Sequence, residues 1–106
     1  MKPIKMKMLD MDTVLEYTTN NPSIIHKQTF EMLNSVFSKT KKPNSINLFV
    51  IELTDDEDLD EAVLNVEEGE WELALEVGLK FFEEKEEYEM CAQINGLLIK
   101  IKNSKK

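Results

Sequence analysis

With 106 residues, 42% of them hydrophobic, and only three glycines and three prolines, the chain has the size and composition of one globular domain with a real core. Its thirteen basic residues are all lysines and face twenty-one acids, for a net charge of −8. That balance argues against direct nucleic-acid binding, because the field repels phosphates and the arginine fork that reads them is missing. A single cysteine, Cys91, excludes an intramolecular disulfide, and no apolar run reaches the length of a membrane span, so a cytoplasmic protein with no membrane contact is expected.

Ile4, Met6 and Met8 alternate with Lys5 and Lys7, the period of a short half-buried strand over residues 3–9. Helices over roughly 10–19 and 22–39 follow. In the second, Asn21 is placed to cap and Pro22 sits where the first turn tolerates a missing N–H. Ile25, Phe30, Leu33, Val36 and Phe37 then form an apolar stripe. Beyond the loop Lys41-Lys42-Pro43-Asn44-Ser45, residues 46–53 are rich in β-branched and aromatic side chains and make a second candidate strand. It could pair with the first in parallel across the helical crossover, although so short an apolar run also fits a helix.

Thr54-Asp55-Asp56-Glu57 matches a capping box, which predicts a helix over about 55–67. Gly69 interrupts the pattern. The next helix, about 70–84, carries Trp71, Ala74, Leu75, Gly78 and Phe82 on one face, and Leu73, Val77 and Phe81 widen that face round the side. Glu83-Glu84-Lys85-Glu86 reads as a turn. A last helix, about 87–101, aligns Cys91, Ile94, Leu98 and Ile101, and residues 103–106 should fray. The fold class that follows is mainly α: one domain over 1–106, with four or five short helices and two candidate short strands at 3–9 and 46–53. Its N-terminal half is 1–53 and its acidic helical half 54–102.

Charge is concentrated in one place. Residues 55–89 hold sixteen acids against two lysines, Lys80 and Lys85, interleaved with apolar residues at helical spacing. They read as folded acidic helices whose field attracts basic protein surfaces. Carboxylate pairs are so common here that their presence says nothing about acid–base catalysis. Asp56, Asp58, Asp60 and Glu67 fall at calcium-loop spacing, but Glu61 stands where such a loop needs glycine and the capping box continues through it. His26 is the only histidine, with no cysteine near it in sequence, and Cys91 lies on an apolar helix face where a thiol is inert packing. No cofactor, metal site or catalytic residue is expected.

Tyr88-Glu89, Cys91-Ala92, Ile94, Leu98 and Ile101 follow the order of an aromatic–Glu pair, two small residues and spaced aliphatics. Residues 79–101 thereby resemble a UVR motif, the helical hairpin of nucleotide-excision repair proteins and some regulators, with Asn95-Gly96 where the motif has Arg-Asp. The resemblance implies a hairpin that packs against another hairpin or a partner protein. The reading that results is a non-enzymatic protein-binding regulator or adaptor of bacterial or phage type. Its partner carries a basic surface, and a second copy of the chain, as a homodimer, is another candidate. The contact residues expected are Trp71, Phe81, Phe82, Glu83, Glu84, Glu86 and Glu87. The alternative is an acidic nucleic-acid mimic of phage type that inhibits a DNA- or RNA-binding protein.

Overall fold

The computed structural model describes residues 3–37, 44–55 and 60–104. In chain order these form β1 (Ile4–Met8), α1 (Met11–Asn20), α2 (Pro22–Val36), β2 (Ser45–Leu53), β3 (Glu61–Glu67), a 3₁₀ turn (Glu68–Glu70), α3 (Trp71–Glu84) and α4 (Tyr88–Ser104). The sheet order is β1-β2-β3, with β1 parallel and β3 antiparallel to β2. The mainly α expectation is therefore corrected to α+β: four helices and a three-stranded mixed sheet among the described residues.

The correction comes from residues 61–67, expected as the end of a helix and found as β3. Leu59, Ala62, Val63 and Val66 fit a helical stripe, but Leu64 falls off it. Read in twos, Ala62, Leu64 and Val66 share one half-buried face, while Glu61, Val63, Asn65 and Glu67 share the exposed one. Strand β2 decides between the two readings, since it is central and apolar and must hydrogen-bond on both edges. The capping box fails with that helix. The Thr54 hydroxyl donates to the Met8 carbonyl at 3.3 Å and the Thr54 amide donates to the same oxygen at 2.9 Å, tying β1 to the end of β2; Glu57 lies outside the described residues.

The remaining elements follow most of their sequence signals; the exception is Asn21, whose side chain does not cap α2 but donates back to the Tyr17 carbonyl at 2.9 Å. Asp10 caps α1 by accepting from the Thr13 amide at 2.9 Å, and this bond lowers the Asp10 pKa. Pro22 opens α2 as expected. Strand β2 buries Ile46 before an irregularity between Asn47 and Phe49, Leu48 within it, and Phe49, Ile51 and Leu53 after it. Leu48 is the extra residue of this bulge and has no Cα partner on β3, so two consecutive side chains enter the core. Its carbonyl accepts from the buried Gln28 amide of α2 at 3.2 Å, which ties the helix to the bulge. The first β-candidate, residues 3–9, appears as Ile4–Met8 and pairs in parallel with β2, Ile4 beside Phe49 and Met8 beside Leu53.

Helices α2 and α3 pack on one another, and α4 packs on α3 across a short turn. The turn is a Schellman cap: the Glu87 amide donates to the Phe82 carbonyl at 2.9 Å, the Glu86 amide donates to the Glu83 carbonyl at 3.1 Å, and Glu86 has φ of 59°. The core joins Leu33, Phe49, Ile51, Leu75, Phe82, Ile94 and Ile101, all essentially inaccessible to solvent. Burying each such side chain contributes about 1.5–3 kcal/mol before entropy is charged against it. Helix α4 continues through Asn103 and Ser104, two residues expected to fray.

Candidate functional site

Helix α3 is apolar on more than one side, and its neighbours cover only part of it. Trp71, Leu75, Gly78 and Phe82 face inward. Trp71 packs edge-to-face on Phe37 with ring centroids 5.5 Å apart, and its indole N–H donates to the Val66 carbonyl at 3.0 Å. Leu73 and Val77, four residues apart on the helix, stay 62% and 51% exposed. They border a groove of about 310 Å³ between α2 and α3, floored by Leu48 and Val66 and closed on the α2 side by Ile25 and His26. Glu70 and Asn65 supply polar groups at its margin.

His26 sits at the seam of the two helices. Its ring lies 5.0 Å from that of Phe81 and 6.2 Å from that of Phe82, and a Cβ placed on Gly78 would stand 3.4 Å from its Nδ1. Desolvation by burial lowers the His26 pKa, so the ring is neutral at pH 7. A neutral imidazole among aromatic rings is suited to packing and to binding an apolar group beside it.

The residues expected at the contact surface divide into two sets. Trp71 and Phe82 are core residues at 3% and 0% exposure, so they hold the surface up from behind. Phe81 is half-buried, its ring tilted against that of His26, with the Lys85 ammonium 5.9 Å from its ring centroid. Glu83, Glu84, Glu86 and Glu87 come together, all exposed, on the α3–α4 turn. The structure adds Ile25, Leu73 and Val77, which sequence reasoning left outside the contact set. For Leu73 and Val77 the signal is the width of the α3 stripe, which α2 and α4 cover only in part; Ile25 belongs to the apolar stripe of α2.

Cys91 is buried with its thiol 3.9 Å from the Leu79 carbonyl. Desolvation raises its pKa, and the carboxylates of Glu83 and Glu87 add to the rise, which keeps the sulfur protonated and unreactive. Among the described residues, no group of three or more His, Cys, Asp or Glu side chains is placed to hold a metal ion, and no helix is long and apolar enough to cross a membrane. Comparison with family models, curated proteins and solved structures gives no match for this chain.

Proposed function

We propose that this chain is a non-enzymatic, cytoplasmic protein-binding regulator or adaptor whose contact surface is the α2–α3 groove with the acidic turn of α3 and α4 beside it. The observation that carries this reading is the pair Leu73 and Val77, large apolar side chains left exposed at the mouth of an apolar groove in a chain of net charge −8. A partner with an apolar anchor and a basic surround satisfies both features. The anchor supplies affinity, and the charges supply rate and orientation.

The test compares three tagged proteins: wild type, the double variant Leu73→Asp/Val77→Asp, and the quadruple variant with Glu83, Glu84, Glu86 and Glu87 changed to lysine. Proteins captured from the native organism are identified by mass spectrometry at low and high salt. A specific partner should be lost with the groove variant at either salt, and weakened with the quadruple variant chiefly at low salt. Equal capture by all three proteins would remove the groove and the turn from the contact surface together.

A further inference from the structure

Strand β3 has β2 on one side and, among the described residues, no strand on the other. Two backbone bonds fix which of its groups face outward. The Leu53 amide donates to the Asp60 carbonyl at 2.9 Å, and the Glu68 amide donates to the Asn44 carbonyl at 2.8 Å. Antiparallel pairing alternates residues whose backbone faces the partner with residues whose backbone faces away. Counting in twos from either bond gives the same phase: residues 60, 62, 64, 66 and 68 face β2, and Glu61, Val63, Asn65 and Glu67 face out. The Glu67 amide agrees, since it donates away from the sheet to the Glu70 carboxylate at 3.4 Å. Among the described residues no hydrogen bond reaches the outward amides of Val63 and Asn65, and Val63 is 43% exposed.

An open edge is a template for another strand, and its side chains select which one. Glu61 and Glu67 stand at its two ends with no lysine between them. A second β3 does not fit, because antiparallel self-pairing about Leu64 sets Glu61 against Glu67 at both ends. The β1 strand of a second copy offers Lys5 and Lys7, two residues apart, where the carboxylates are six apart. On the inner face Ala62, Leu64 and Val66 are only half-buried although they pack on the core, so the sheet ends before the apolar layer does. Val66 also floors the α2–α3 groove, which places that end of the edge beside the groove.

We propose that β3 is a docking edge at which an extended basic segment of a partner protein adds as a fourth strand. Basic residues six apart in that segment meet Glu61 and Glu67, and its alternate apolar side chains continue the layer of Ala62, Leu64 and Val66. The inference rests on the protein-binding reading above and adds to it the partner's conformation and charge pattern.

The probe is the peptide Lys-Val-Thr-Val-Thr-Val-Lys, added to the wild-type chain while amide exchange is followed by NMR. Binding should slow exchange of the Val63 and Asn65 amides. The same peptide ending in glutamates should bind about tenfold more weakly, as two attractive pairs become repulsive. A peptide methylated on its two threonine nitrogens, which would face β3, should protect neither amide. Protection that is absent, or equal for the methylated peptide, overturns the proposal without any change to the protein. Val63→Pro removes an outward donor that β2 does not use and should abolish protection, with circular dichroism checking the fold. Partner capture that needs Leu73 and Val77 but comes without protected β3 amides sinks the strand and leaves the groove. Protection that survives Leu73→Asp/Val77→Asp, in a chain whose capture is unaffected by that variant, sinks the groove and leaves the strand.

Discussion

The two sides of α3 are chemically alike and physically opposite. Trp71, Leu75 and Phe82 are at most 3% exposed, while Leu73 and Val77, interleaved with them in sequence, are more than half exposed. The inner set touches α2, α4 and the end of β3, so its apolar area becomes stability. The outer set contributes little to the fold and leaves a surface that water covers poorly. An apolar residue on an amphipathic helix is thus assigned to fold or to contact by what its neighbours cover.

The largest effect belongs to the inner side. Trp71→Ala removes the indole, its contact with Phe37 and its bond to the Val66 carbonyl, and should destabilise the domain by about 3–5 kcal/mol, enough to unfold a marginal protein. Leu73→Ala should change stability by no more than about 0.5 kcal/mol. Urea denaturation of both variants measures the contrast. Similar losses for the two would show that Leu73 is covered in solution, and the groove would then be part of the core.

Much of this arrangement was legible before the structure. The parallel pairing of β1 with β2, the Pro22 start of α2, the break at Gly69 and the inward face of α3 all follow from local signals that agree with their tertiary setting. Residues 61–67 carry two periods in the same letters, and only Leu64, off the helical stripe, favours the strand. The bulge at Leu48 was hidden for a related reason: consecutive buried residues in a strand look like a uniformly apolar run until the partner's register is known. The acidic turn was visible as composition and the groove was not, because a groove is the space two helices leave and no residue pattern encodes it.

A smaller effect tests the turn that orients α4 on the inner side of α3. Glu86 is the one described non-glycine residue with positive φ, held at 59° between Lys85 and Glu87 at the end of α3. A left-handed conformation costs an L-residue roughly 1–2 kcal/mol, and glycine avoids most of that at some expense in unfolded-state entropy. Glu86→Gly should therefore stabilise the domain by about 1 kcal/mol, read as a higher denaturation midpoint with an unchanged slope. Destabilisation would mean that the Glu86 side chain makes contacts that outweigh its backbone strain.

The smallest expected effect lies where the two sides of α3 meet, at His26. Its ring is half-buried against Phe81 and Phe82, and burial lowers its pKa below the ordinary value of 6.5. The unfolded chain therefore binds the proton more tightly than the folded one, and stability rises with pH wherever the two differ in charge. The contribution of the neutral ring is complete above about pH 6.5 and is lost as the pH falls through the folded pKa. Glutamine at this position keeps most of the volume and cannot titrate. Denaturant midpoints of wild type and His26→Gln, compared between about pH 8 and pH 5, should converge as the pH falls, since only wild type then binds a proton that the folded seam disfavours. Parallel curves would place the protonated imidazole comfortably in water. His26 would then belong to the exposed side of the division, with Leu73 and Val77, as a residue free to meet a partner.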